Sequence, residues 1–385
     1  MPQTRENSKS KRPLIMGRRD QAARETLGRI GRAALLATTA IPTVAIVFII
    51  VFIAGEALPF FSSLSRTAEF FLSATWTPSN EADPHFGALS IFYGTAMVTV
   101  GSCAIAVPLG IVAAVCLSEI VNPKAAQCFK PVVELLAAIP SVAYGFFAMI
   151  VLAPLLQNRG GAILCALTLV FGSAAGFILS MPLSDFAERK IFKSDRAGRR
   201  KILSGLILAT FVAASAVAAA KVANVEISSG TNALNASAIL AIMALPTIVS
   251  ISQDALNSVG RDMREGALAL GATRFESIFK VVLPCAKSGI AVAVILGLMR
   301  VVGETMVVWM ASGNSLKIPE PFYNYLEPVR TLTATIAGEM GEADQSTGSA
   351  RYHALFAMSF CLLAGGLLLN AASQWVSSPK RTSKK

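Results

Sequence analysis

Residues 33–55 form a run of 23 residues with no charged side chain. As α-helix the run extends roughly 35 Å at about 1.5 Å per residue, enough to cross a hydrocarbon layer about 30 Å thick. The pattern recurs along the chain. Residues 86–118, 135–158, 160–184, 202–220 and 233–253 are also free of charge, 288–312 contains only Arg300 and Glu304, and 352–378 contains no Lys, Arg, Asp or Glu. Lipid offers the backbone no hydrogen-bond partners, so each segment must satisfy its own amides and carbonyls as a helix. The expected fold class is all-α, a polytopic membrane protein with about eight transmembrane helices. Charged residues make up 15% of the chain, against about 25% in soluble domains. That shortfall excludes a disordered chain and a small disulfide scaffold.

The net charge is +11, and its distribution explains it. With the N-terminus in the cytoplasm, the inner segments 1–32, 119–131, 185–201, 254–287 and 379–385 carry 9, 2, 7, 5 and 4 Lys and Arg residues. That places 27 basic residues inside and 6 on the outer segments, which is the bias that orients membrane proteins. Both termini are expected in the cytoplasm, and the basic excess is a topology signal rather than a nucleic-acid footprint. The first span is too long for a cleaved signal peptide and reads as a retained anchor. The expected organisation is a basic cytoplasmic arm over 1–32, a leading helix over 33–55, an outer loop over 56–86, a transmembrane body over 87–376 and a basic tail over 377–385.

Little else in the chain carries chemistry. The six cysteines show no CxxC or CxH spacing and there are two histidines, so neither a disulfide frame nor a metal site is expected. The phosphate-binding loop of ATPases needs a Gly-Lys pair, and the chain has none. No enzyme activity and no cofactor are expected in this chain; any ATP and Mg would be bound by a separate ATPase partner.

The inner loop 254–287 is too long for a simple connection. Good helix formers run from Arg264 to Leu270. Gly271 stands where a helix would end, and Phe275, Ile278, Phe279 and Val282 repeat at helical spacing. Pro284 then resets the chain. Two short helices around a glycine make a compact knob that can sit in a partner's groove. The loop resembles the EAA loop of ABC-importer permeases: Glu265-Gly266-Ala267, three residues, Gly271, then Val281, Val282 and Leu283-Pro284 at the pattern's offsets. Gly266 replaces the first alanine and weakens the helix locally by about 1 kcal/mol. The resemblance implies that Glu265, Gly266, Ala267, Gly271, Leu283 and Pro284 form an ATPase-coupling element.

Arg300 and Glu304 are costly inside a span and usually functional there. Their i, i+4 spacing places them on one face of a continuous helix. Arginine's planar fork suits oxyanions, so both are expected on the substrate path; a purely structural ion pair is the other reading. Gly297-Leu298-Met299-Arg300-Val301-Val302-Gly303-Glu304-Thr305-Met306 resembles the G-x-x-R-x-x-G-E-T-M stretch of phosphate-specific ABC permeases of the PstC branch. Ile139-Pro140-Ser141-Val142-Ala143-Tyr144-Gly145, Leu117-Ser118-Glu119 and Thr331-Leu332-Thr333-Ala334-Thr335-Ile336-Ala337 match the same family.

The resemblance implies a type I importer permease core in a bacterial cytoplasmic membrane. It implies a second, PstA-like permease, ATP-binding subunits and an extracytoplasmic phosphate-binding protein as partners. It fails over about 157–232, where two extra spans read as an inserted helical hairpin. Three other functions stay open on the residues alone. They are a molybdate or sulfate permease of the same build, an ion-gradient-coupled carrier that uses Arg300 and Glu304 as a relay, and a membrane scaffold. Pro108, Pro140, Pro154 and Pro246 lie in or at the ends of spans and invite kinks.

Overall fold

A computed structural model describes residues 18–80, 83–187, 197–223, 225–342 and 349–378. Most of the basic arm, the centre of the 185–201 loop and the end of the basic tail lie outside the described residues. The chain divides into two compact units, 1–56 and 57–385. The first consists of helix α1, Arg18–Phe61, up to its last turn. The helix continues well past both ends of the charge-free run, because the flanking Ala, Arg, Glu and Leu residues are themselves good helix formers.

The second unit is built from helices. In order they are α2 (Leu64–Leu72), α3 (Leu89–Val115), α4 (Pro123–Ala138), α5 (Ser141–Phe147), α6 (Ala153–Ala187), α7 (Ala197–Ala223), α8 (Ala233–Asn257), α9 (Arg261–Ala269), α10 (Arg274–Ser277), α11 (Leu283–Val302), α12 (Met306–Ala311), α13 (Leu332–Glu339) and α14 (Ala350–Ser377). A two-stranded antiparallel ribbon pairs β1 (Trp76–Thr77) with β2 (His85–Phe86).

Among the described residues seven helical segments are long and apolar enough to cross a membrane. Eight are expected from sequence, and the difference arises around Pro140 and Arg159. Residues 135–138 belong to α4, which stops at Ala138, and Pro140 opens α5. From Ser141 the chain stays helical to Ala187, kinked at Arg159 (φ −132°, ψ 17°) where a break between two spans is expected. The kink therefore falls at Arg159, next to two glycines, and not at Pro154. Pro108 and Pro246 sit inside unbroken helices.

Helix α8 is the axis of the second unit. It packs on α3, α11 and α4, and Ala236, Leu240, Ala244 and Ile248 along it are almost fully buried. Between helices in lipid the hydrophobic effect gives little drive, so close packing of small residues carries the association. One buried polar residue, Asn235, serves that packing. Its Nδ2 donates to the carbonyls of Ala148 (3.1 Å) and Gly230 (3.0 Å). Ala148 opens a π-helical turn, Ala148–Leu152, and its carbonyl accepts from Asn235 in addition to the backbone amide of Ala153. Over the segment expected to be a helical hairpin, α6 and α7 pack on each other.

The expected outer loop 56–86 is more than a loop. Phe60, Phe70, Trp76 and Phe86 are buried together beside Ala354, Leu355 and Met358 of α14, with edge-to-face ring pairs such as Phe60–Phe70 at 5.3 Å. Burial of a side chain of this size in a watery region stabilises by about 1.5–3 kcal/mol. Glu339, at the end of α13, ties the cap to the body. Its carboxylate accepts from Trp76 Nε1 (3.0 and 3.1 Å) and pairs with Arg330 (3.0 Å) and Arg351 (3.4 Å).

Candidate functional site

Arg300 lies near the end of α11, half-buried, and its Nη1 donates to Thr247 Oγ1 on α8 at 3.0 Å. Gly297 makes that reach possible. A Cβ there would fall 2.6 Å from Ile248 Cγ1, so a hydrogen at this position lets α11 lie against α8. Replacing Gly297 with Val would push the helices apart. The expected cost is about 1–3 kcal/mol of overpacking strain, read as a lower unfolding temperature of the purified protein in detergent. An unchanged unfolding temperature would show that the contact is not tight.

Thr247 opens onto a cleft of about 450 Å³ between α4 and α8, lined by Glu134, Ala137, Ala138, Pro246, Thr247 and Ser250. With the Arg300 guanidinium on its oxygen, the Thr247 hydroxyl is free to direct its own proton elsewhere. Thr247 and Ser250 place two hydroxyls on the cleft and Glu134 gives the opposite wall a carboxylate; the Arg300 cation reaches the site through its bond to Thr247 and is not itself among the lining residues. The α4–α5 break lies at the end of this wall, bridged by Tyr144 Oη donating to the carbonyl of Leu136 at 2.8 Å. Interrupted helices beside a charged side chain are a recurring setting for substrate sites in transporters; here the charged residue lies two residues from the C-terminal end of α11.

Glu304 is placed differently from the expectation. Helix α11 ends at Val302, Gly303 caps it, and the helix resumes as α12 at Met306. Glu304 therefore stands in a non-helical break, and the i, i+4 face it would share with Arg300 does not exist. Among the described residues no ion pair joins the two. The backbone carbonyl of Glu304 instead accepts from Thr333 Oγ1 at 2.7 Å. Thr333 belongs to a stretch that is buried from Val329 through Thr335, apart from a half-buried Arg330. Leu332 N donates to Thr95 Oγ1 of α3 at 2.9 Å, so Thr95 is engaged in packing.

The second set of expected residues lies on α9 and its flanks. Glu265, Gly266 and Ala267 are in the middle of α9, with Glu265 exposed. Gly271 adopts φ +86°, a conformation that costs residues with a Cβ about 1–2 kcal/mol. Gly271 N donates to Leu268 O (3.0 Å) and Ala272 N to Ala267 O (3.1 Å), the paired bonds that close a helix through a left-handed glycine. Thr273 and Glu276 then form a reciprocal capping box for α10. Leu283 and Pro284 open α11, after a π-helical turn at Ile278–Val282. A short helix and a tight glycine turn are present as expected, but the second helix is not a separate short one: the chain stays helical from Arg274 through Val302, and Pro284 does not interrupt it.

The apolar residues of the knob divide between two faces. Val282 is buried and Ile278 half-buried against the body, whereas Met263, Leu268, Leu270, Phe275 and Phe279 are exposed. The Phe275 and Phe279 rings lie 4.3 Å apart. An apolar face on a knob built of capped helices suits docking to a protein groove.

Thr247, Ser250 and Glu134 escape a sequence reading. The two hydroxyls sit in a charge-free run among many of their kind, and Glu134 lies one residue before a span. Only the α4–α8 contact singles them out.

Comparison with known proteins agrees with this architecture. Residues 192–381 match the family described as binding-protein-dependent transport system inner membrane component. The chain is 31% identical over 383 residues to the probable ABC transporter permease protein YqgH of Bacillus subtilis, covering 99% of this chain and 100% of that one. It is 32% identical over 329 residues to the phosphate transport system permease protein PstC of Mesorhizobium japonicum, covering 83% and 85%. It is 26% identical over 352 residues to the phosphate transport system permease protein PstC 2 of Mycobacterium tuberculosis, covering 91% and 92%. The chain belongs to the inner-membrane permeases of binding-protein-dependent ABC transporters, on the branch that holds the PstC proteins.

Proposed function

We propose that this chain is a transmembrane subunit of an ATP-driven phosphate importer, with Arg300 on the substrate path. The observation that carries the reading is the Arg300–Thr247 contact beside an open cleft at an interrupted helix. A guanidinium that can turn from a threonine hydroxyl to an incoming oxyanion loses one hydrogen bond to a neutral acceptor and gains bidentate ones to a charged acceptor. The exchange favours a tetrahedral oxyanion and disfavours cations. The names of the PstC relatives and the phosphate-permease pattern around Arg300 support phosphate as the anion.

A second permease closes the α4–α8 cleft into a path, ATP-binding subunits grip the α9–α10 knob, and an extracytoplasmic binding protein delivers the anion. Glu304, in the break after Arg300, belongs to the same path. The knob then faces the cytoplasm, as do both termini, in line with the charge bias of the segments. The chain itself needs no cofactor; ATP and Mg belong to the ATPase.

Competition uptake tests the substrate. In vesicles holding the assembled transporter, unlabelled phosphate should suppress labelled phosphate uptake, while equimolar sulfate or molybdate should leave it nearly unchanged. Equal suppression by sulfate or molybdate would assign the path to another oxyanion.

A further inference from the structure

Arg264, the residue before Glu265, carries the densest set of polar contacts at the knob. Its Nε lies 3.2 Å from both carboxylate oxygens of Glu119, and its Nη2 donates to Glu119 Oε1 at 2.7 Å. Nη2 also donates to the carbonyl of Leu256 at 2.8 Å, and Nη1 donates to the carbonyl of Val259. The pair is largely shielded, with 22% of the Arg264 side chain and 10% of the Glu119 side chain exposed.

These contacts join α9 to the adjacent end of α8 and to the end of α3, 145 residues away in sequence. Glu119 lies in the π-helical turn Cys116–Ile120 that ends α3, Leu256 lies in the last turn of α8, and Val259 follows it. Ser118 Oγ donates to Asn257 Oδ1 at 2.9 Å and closes the same knot from the other side. Arginine suits this position because its fork can serve a carboxylate and helix-end carbonyls at once.

We propose that the Arg264–Glu119 pair is the mechanical link that transmits movement of the docking knob to the transport path. This rests on the reading of the knob as the ATPase-docking element. A rigid α9 fastened to the ends of α3 and α8 carries both helices with it when it moves. Helix α8 also bears Thr247, nine residues from Leu256 and about 13 Å along the axis at 1.5 Å per residue. A displacement of α9 therefore reaches the Thr247–Arg300 contact through one continuous helix. Arg264 and Glu119 are positioning residues; neither touches the anion nor the ATPase.

The test uses the complete transporter reconstituted in proteoliposomes, with Arg264→Gln, Glu119→Gln and the double variant. Two quantities are read: ATPase subunits co-purified, and phosphate imported per ATP hydrolysed. Each single variant should keep its ATPase subunits and import about tenfold less phosphate per ATP, a drop of the size expected for a lost charge-assisted contact. The double variant should be no worse than the worse single one, because both remove the same interaction. Arg264→Lys, which keeps the charge but not the fork, should fall between wild type and Arg264→Gln. Wild-type ratios in both single variants, loss of the ATPase subunits, or effects that multiply in the double variant would each overturn the link. Glu265→Lys serves as the control for the docking reading. If it lowers coupling and Arg264→Gln does not, only the link fails; if neither does, the docking reading fails with it.

Discussion

Replacing Arg300 with glutamine is expected to lower phosphate uptake by the assembled transporter about 10- to 100-fold, with assembly unchanged. The lost interaction is a charge-assisted hydrogen bond, worth about 1.5–3 kcal/mol, and each 1.4 kcal/mol is about tenfold. Arg300→Lys should recover part of the loss, since a point charge attracts an anion but offers no planar fork. Thr247→Val should have a smaller effect, because the hydroxyl at 3.0 Å holds the guanidinium only while the path is empty. Glu304→Gln distinguishes the two readings of the acid. If Glu304 stands on the path, uptake falls; if its backbone bond to Thr333 (2.7 Å) is its whole role, uptake is unchanged. Full uptake by Arg300→Gln would remove the residue from the path.

The second large effect is expected at the glycine turn of the knob. Gly271→Pro forces φ to about −65° where the chain needs +86°, and it deletes the amide that bonds Leu268 O. The turn between α9 and α10 cannot close, so the exposed apolar face formed by Met263, Leu268, Phe275 and Phe279 is dispersed. ATPase subunits should then fail to co-purify, and ATP-dependent uptake should fall at least tenfold. Glu265→Lys leaves the fold of α9 intact, since Glu265 is exposed near the helix centre, and should disturb the docking surface by its charge alone. Normal co-purification and uptake in both variants would count against docking through this knob.

Much of this architecture was legible in the residue pattern, because lipid imposes one rule on every span. A charge-free run must be helix, and α3, α8 and α14 follow closely from 86–118, 233–253 and 352–378. The turn after α9 was legible for a local reason, since Gly271 stands where the helix must end.

Three features were not legible. The break at Gly303 separates Glu304 from the face of Arg300, and periodicity alone treats a helix as continuous. The sequence places Thr331 to Thr335 only by family resemblance and does not show that its hydroxyls and amides find partners on α3, on the α11–α12 break and within α13 itself. The Arg264–Glu119 pair joins residues 145 positions apart, and although Glu119 lies in a segment matched to the family, nothing local pairs it with Arg264. In each case a tertiary contact decides what a side chain does, and one-dimensional spacing carries no record of it.

Phosphate import driven with and without ATP tests the central claim most directly. In proteoliposomes with the full set of subunits and the binding protein, uptake should require ATP and persist after proton and sodium gradients are dissipated. Uptake by this permease without ATPase subunits, powered by an ion gradient alone, would contradict the account.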